Sequence, residues 1–433
     1  MDEPWLHELL ERAIADEPPI GPVAHNSLRA GLRRRRRRVQ GGAACAAAVA
    51  VIGVGAVAVT GAPGTPSATD SIRQTVYVLS DDGTVTPIST ATNTPGKPIA
   101  AGPTPQFMAL TPNGQTLYVA DGTDTVTPIA TATNRPGKPI KVGQNPGQIL
   151  VTPDGRTAYV FDDSGVTPIS TATNTPEKPI TGTEPVSSVG PNAMAITPDG
   201  KTLYVASDNS VIPVSTATDR PGKPIRFGHY NPVNNTVNQI IITPNGSTLY
   251  VFNFNGGITP VSTATNRPGK PISVGAWPTA MAMTPDGKTF YVGVGNGQHV
   301  VPISTATNKP GRPIRVASTA YDIAVTPDGQ TAYVASQPRC PIRTPLTCTS
   351  PPGEVTPIST ATNKPGTPVK VVRSSFLKVI GGFYSLAITP DGHKIYVIGG
   401  AGSSSTVTPI TTATNTAGKP VKVKGAQEIV ITP

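Results

Sequence analysis

The chain has 433 residues, 35 Lys and Arg against 25 Asp and Glu, a formal charge of +10, and 44 Gly and 49 Pro. Only 14% of residues are charged and the prolines recur at fixed places, which excludes a disordered polyelectrolyte despite the Pro and Gly content. The basic residues are not interleaved with stacking aromatics, which excludes a nucleic-acid-binding surface.

In chain order, Pro4 to Ala15 reads as a short amphipathic helix with Trp5, Leu6, Leu9, Leu10 and Ile14 on one side and Pro in its first turn. It is expected to lie on the inner leaflet of a membrane, with docking to a cytoplasmic partner as the alternative. Six consecutive arginines, Arg33 to Arg38, precede the uncharged stretch Val39 to Thr60. Twenty-two residues at about 1.5 Å each cover roughly 33 Å, enough to cross a bilayer. Arginines before the span keep the N-terminus inside and export the remainder of the chain. The alternative, a signal peptide cut after Ala56-Val57-Ala58, exports it as well. The division expected is 1–38 cytoplasmic, 39–60 transmembrane anchor, 61–74 linker and 75–433 a repeat domain.

From Thr75 onward one phrase returns eight times, and two of its four internal intervals are constant. From the Pro of each Thr-Pro-Asp/Asn-Gly to the Tyr of the following Tyr-Val the offset is six, from Pro112 to Tyr118 through to Pro390 to Tyr396. From the Pro of Thr-Pro-Ile-Ser to the Pro closing Pro-Gly-Lys-Pro it is eleven, from Pro87 to Pro98 through to Pro409 to Pro420. Each unit reads as four short strands. Strand A is an apolar stretch such as Met194-Ala195-Ile196, followed by a type I turn at Thr-Pro-Asp-Gly. Strand B, Thr-Leu-Tyr-Val-Ala, is expected to alternate across the sheet. Strand C contains a recurrent Pro and must place it at an edge or a bulge. Asn-x-Pro-Gly, as in Asn134 to Gly137, is expected to form a type II turn into strand D, Lys-Pro-Ile-x-Val.

Such units suit an all-β propeller of eight blades, seven being the alternative. Tyr77 opens the repeats with strands B, C and D but no A, and Glu428 to Pro433 is a strand A with nothing after it. The two fragments are expected to complete one blade and close the ring.

The unit Ala-Ile-Thr-Pro-Asp-Gly-Lys-Thr-Leu-Tyr-Val-Ala, with a later Thr-Ala-Thr-Asn, resembles the YVTN repeat of surface-layer and exported propellers over about residues 75 to 433. Here Tyr-Val is followed by Leu79-Ser80, Ala120-Asp121 or Phe252-Asn253 rather than Thr-Asn. The third strand carries Pro-Ile-Ser-Thr where the family usually has an Asp. The resemblance implies an exported or envelope protein and no single activity; relatives in fold include lactonases and lyases.

In a propeller the A–B and C–D turns share one face and the B–C and D–A loops the other. The constant intervals belong to the first face, and the insertions 181–192, 228–238, 337–353 and 371–383 to the second. Variable loops on a rigid scaffold are where binding surfaces are built. Six residues before each turn Pro stand Gln106, Gly147, Asn192, Asn238, Thr279, Tyr321, Tyr384 and Gln427. They are expected to form an uncharged polar collar at the channel mouth, suited to glycan or peptide backbone. The expected catalytic complement is none, with Asp322 and Glu428, one register step on, as the candidate carboxylate pair. No nucleophile elbow, phosphate loop or metal-ligand spacing is present, and no cofactor or metal is expected. Cys340 and Cys348 share one insertion, where a disulfide would pin a loop without a core. Lys97, Lys138, Lys223, Lys270 and Lys419 recur in the Pro-Gly-Lys-Pro segments as a solvated basic rim. The expected role is a membrane-anchored, monomeric binding or scaffold module for an envelope glycan or protein. The alternatives are a lactonase- or lyase-like enzyme at the channel mouth, a transmembrane sensor, or a secreted form.

Overall fold

The repeats contain strand-forming residues at a spacing of four strands per unit, and eight antiparallel sheets are what they form. The computed structural model describes residues 74–183, 194–207, 210–227, 237–253, 257–275, 278–295, 297–337, 353–371, 385–400 and 404–433. The N-terminal helix, arginine run and span expected from the sequence lie outside these residues, as do Asn192, Tyr384, Cys340, Cys348 and most of the four insertions.

The blade containing Tyr118 is representative. Phe107–Leu110 is strand A, Thr116–Ala120 strand B and Thr125–Ala130 strand C. The outer strand comes in two pieces, Arg135–Pro136 and Ile140–Lys141, both paired with strand C. The ring closes as the sequence predicts: Ala426–Ile431 pairs with Thr75–Ser80, with Tyr77 opposite Val430. Strands A of successive blades lie side by side and are innermost.

Strand B does not alternate between buried and exposed. Leu117, Tyr118, Val119 and Ala120 are all fully buried, because each sheet is sandwiched between two others. The core is accordingly eight separate clusters, one per blade junction. Tyr77, Leu79 and Val85 pack on Met108, Leu117 and Val119 of the next blade, and the last junction sets Tyr396, Ile398 and Val407 against Val76, Val78 and Ile429. Fully burying one such side chain contributes about 1.5–3 kcal/mol, so the stability of the ring resides between blades rather than within them.

Two turns explain the constant intervals. At Thr-Pro-Asp-Gly the Gly155 amide donates to Thr152 O at 2.8 Å. Asp154 Oδ1 accepts from Thr152 Oγ1 at 2.6 Å and from the Arg156 amide at 3.0 Å. Asn113 does the same work with Thr111 Oγ1 and the Gln115 amide, so an amide serves as well as a carboxylate. The second turn differs from the expected type II turn. The residue in the left-handed region is Asn, not Gly: Asn134 has φ 53° and Gly137 is not among the positive-φ glycines. The chain reverses over Thr131 to Asn134, and Pro136 already pairs with Ile129. The Gly137 amide then donates to Pro128 O at 2.7 Å. The recurrent Pro thus sits opposite the break between the two outer pieces, where no donor is required of it.

Candidate functional site

Each Tyr-Val tyrosine is buried and its hydroxyl leaves its own blade. Tyr118 donates to Asn174 Oδ1 at 2.7 Å, Tyr204 to Asn266 at 2.9 Å, and Tyr291 to Asn363 at 2.8 Å. The acceptor is always the left-handed residue of the next blade's Thr-Ala-Thr-Asn turn. The series closes on itself: Tyr396 donates to Asn93 at 2.6 Å and Tyr77 to Asn134 at 2.7 Å. One junction departs, with Tyr159 donating to Asp219 Oδ1 at 2.9 Å. Burial raises the tyrosine pKa values, to about 12 for Tyr77, Tyr118, Tyr250, Tyr291 and Tyr396, so all of these remain donors at physiological pH. Within a blade, the first Thr of Thr-Ala-Thr ties the two turns together, as Thr131 Oγ1 does by donating to Gly114 O at 2.6 Å. The A–B and C–D turns therefore share one face, stitched within and between blades. A Cβ at Gly114 would stand 2.7 Å from Pro433 Cδ, and one at Gly287 2.9 Å from Pro244 Cδ, so glycine here serves close approach as well as positive φ.

The opposite face carries the collar positions. Asn238, Thr279, Tyr321 and Gln427 are each the extra residue of a β-bulge, since the register slips between Val237 and Gln239, Pro278 and Ala280, Ala320 and Asp322, and across Gln427. Bulges re-aim side chains at sheet edges. Gln106 is exposed, and Gly147, Thr279 and Gln427 are half-buried. Tyr321 is also half-buried but packs against the junction cluster of Tyr333, Ala335 and Leu386. Among the described residues, four collar positions are thus bulged entrances, Gln106 and Gln427 are accessible amides, and Tyr321 is tied into the wall.

Asp322 and Glu428 are given separate partners. Asp322 Oδ2 accepts from the Leu386 amide at 2.8 Å, and its Oδ1 from the Ile323 amide at 2.7 Å. Glu428 Oε2 accepts from the Met108 amide at 2.8 Å. Each reaches from one strand A to the strand A of the following blade. Both are almost fully buried; desolvation raises the Asp322 pKa well above the carboxylate range and that of Glu428 to about 8, against the lowering effect of those amides. Gln148 occupies the same register position and does the job without a titrating group. Its Nε2 donates to Met194 O at 3.1 Å and its Oε1 accepts from the Met194 amide at 2.6 Å.

Sequence reasoning missed Gln148, although its position relative to the turn Pro matches the two acids. Taken around the ring, that position reads Glu428, Phe107, Gln148, Ala193, Gln239, Ala280, Asp322, Ser385, long polar groups in alternate blades. Missed too were Asp121 and Asp162 on the loop face. Asp162 accepts from the Gly143 amide at 3.0 Å, the Ser164 amide at 2.8 Å, Ser164 Oγ, and Thr167 Oγ1 at 2.6 Å. Burial would raise the Asp121 pKa, but hydrogen bonds from Thr125 and Thr123 hold it below the usual value. Both brace loops. At the other end of strand A, eight half-buried aliphatic residues, one per blade from Leu110 to Ile431, stand two positions before the turn Pro. Among the described residues no group of three or more His, Cys, Asp or Glu could hold a metal ion.

No protein-family model and no curated protein matches the chain. Among solved structures it is similar to dihydro-heme d1 dehydrogenase NirN in complex with DHE, at 15% identity and a TM-score of 0.64, covering 86% of this chain and 78% of that one. It is also similar to a functionally unknown protein from Desulfotomaculum acetoxidans, at 14% identity and a TM-score of 0.52, covering 82% and 98%. Hydrazine synthase from Kuenenia stuttgartiensis aligns at 19% identity over 74% of this chain and 96% of that one, with a TM-score of 0.48. The first two of these likenesses support the propeller fold and nothing beyond it.

Proposed function

We propose that the chain is an exported YVTN-type propeller, held at the membrane by residues 39–60, and that it acts as a binding or scaffold module through its B–C and D–A loop face. The observation that carries this reading is the asymmetry between faces. The turn face is consumed by Thr–Gly contacts within each blade and by Tyr–Asn and Gly–Pro contacts between blades, so selection for closure accounts for its constant lengths. The loop face keeps its bulged entrances, and every long insertion falls in the B–C or D–A intervals of the sequence, which is where a rigid scaffold builds recognition. Binding is favoured over catalysis because the two candidate acids already accept backbone amides inside blade junctions. An uncharged mouth with accessible amides at Gln106 and Gln427 suits a glycan or an extended peptide.

The test is retention of the full chain, in detergent or nanodiscs, on fractionated envelope glycans and proteins, compared with a Gln106→Ala, Gln427→Ala variant. Retention lost in the variant with an unchanged melting temperature supports the reading. Retention of nothing from the envelope, or undiminished retention by the variant, overturns it. Export is tested separately: protease added to intact cells is expected to reach the propeller while residues 1–32 stay protected.

A further inference from the structure

The outer strand of every blade ends the sheet and meets solvent, and its charges have one sign. Its middle position is Lys or Arg in seven of the eight blades, and its first and last positions in five each. Within these outer strands the only acid is Glu177. The columns Arg220, Lys223, Arg226 and Lys309, Arg312, Arg315 are complete and every member is exposed, with neighbours in a column roughly 10 Å apart at strand spacing. The columns connect: Ile314–Arg315 lies beside Lys364–Pro365 of the next blade, and Val369–Lys370 beside Thr416–Ala417. Among the described residues the one ion pair that touches this band is Lys141 with Asp124, at 3.7 Å. Among the described residues the band is therefore a largely unneutralised girdle, its outer strands in contact across several successive blade junctions.

Unpaired edge strands are commonly blunted by charge so that sheets do not add to one another. Edge protection alone does not fix the sign, because Glu would serve as well as Lys. A uniform sign concentrates counter-anions along the band, and arginine among the lysines favours phosphate through its forked donors. No aromatic side chain stands in these outer strands, so nothing is offered on which a base could stack. The girdle runs around the circumference, so a flat bilayer would touch one sector of it, whereas a flexible chain can follow it through several blades. We infer that the rim is a binding track for a linear, phosphate-bearing polyanion, distinct from the loop face and independent of what the loop face binds.

Long-chain inorganic polyphosphate is the probe, with binding to the full chain measured by competition against a fluorescent tracer over a salt series. For about five phosphates neutralised, affinity is expected to fall about a hundredfold between 50 and 200 mM salt, linearly on logarithmic axes. Replacing Arg220, Lys223, Arg226, Lys309, Arg312 and Arg315 by Gln is expected to cost at least tenfold and to flatten the slope. A second variant, R135Q/K138Q/K141Q, repeats the comparison on another sector should the first fail to fold. The inference is overturned by absence of binding at low salt, or by undiminished affinity in the variants. It is equally overturned if the variants self-associate while binding polyphosphate normally, which makes the girdle edge protection only. Retention on anionic phosphatidylglycerol vesicles that excess polyphosphate fails to displace makes the partner a membrane and overturns it as well. Loss of envelope binding by the Gln106 and Gln427 variant leaves these measurements unaffected, so the two readings fail separately.

Discussion

A tyrosine hydroxyl buried at a blade junction needs an acceptor, and an asparagine in the left-handed region of the next blade supplies it. Asn266 is itself exposed and water can replace the lost donor, so Tyr204→Phe forfeits the net worth of one hydrogen bond and is expected to lower stability by about 1 kcal/mol in denaturant titration. Truncation to Ala also empties the junction and is expected to cost about 3–5 kcal/mol. The exceptional junction offers a sharper test. Burial raises the Asp219 pKa, opposed by its bond from Tyr159. A carboxyl whose pKa is raised on folding favours the folded state when protonated. Its contribution is complete below the unfolded value of about 4 and is lost as pH rises through the folded value. Asp219→Asn restores the residue used at the other junctions, and is expected to raise the melting temperature at pH 7, with the gain disappearing below about pH 4. A gain that persists unchanged at acid pH would place the effect elsewhere.

Between elements, the inner strands are joined by side chains that reach from one blade to the next, and the chain uses both acid and amide for this. Glu428 is held neutral in the fold by burial, with a pKa of about 8 against an ordinary 4.5. Stability from this group is therefore full below about pH 4.5 and declines as pH rises to about 8, where the buried carboxylate must ionise. Gln148 shows what the uncharged version looks like, accepting from the Met194 amide and donating to Met194 O. Glu428→Gln is expected to make the same two bonds to Met108 and to flatten the melting temperature between pH 5 and pH 9, while the wild type falls over that interval. A parallel decline in both proteins would show that other groups carry it. This clasp also marks where sequence reading stops. The blades, their number and the closing strand were legible because proline and glycine punctuate them at fixed offsets. The location of the Thr-Ala-Thr-Asn reversal was missed because Asn and Gly both tolerate positive φ, and the Gly that follows is needed for contact with Pro128 instead. The role of Asp322 and Glu428 was missed because their partners are backbone amides 64 and 320 residues away. A bulge that turns Tyr321 into the junction leaves no mark on the sequence pattern.

For the whole molecule, the ring has one seam that is not covalently continuous, and it is spanned by the last strand. Ala426–Ile431 completes the sheet begun by Thr75–Ser80. It also carries Glu428 across to Met108 and delivers Pro433 against Gly114, so it joins two blades as well as finishing one. Ile429 and Val430 belong to two different junction clusters; deleting residues 426–433 strips an inner strand and opens apolar faces on both sides. Because stability lies at junctions, the loss is expected to spread rather than stay in one blade. The truncated chain should unfold over a broad interval instead of in one cooperative step, and should bind an apolar dye before melting. A synthetic peptide of residues 426–433, added in excess, is expected to restore a sharp transition in proportion to its occupancy, and the same peptide with Glu428 replaced by Gln should do so with less dependence on pH. A truncated protein that still melts cooperatively at the wild-type temperature would mean that the seam is held by the turn-face bonds from Tyr396 to Asn93 and from Tyr77 to Asn134, and that the terminal strand fills a space without closing the ring.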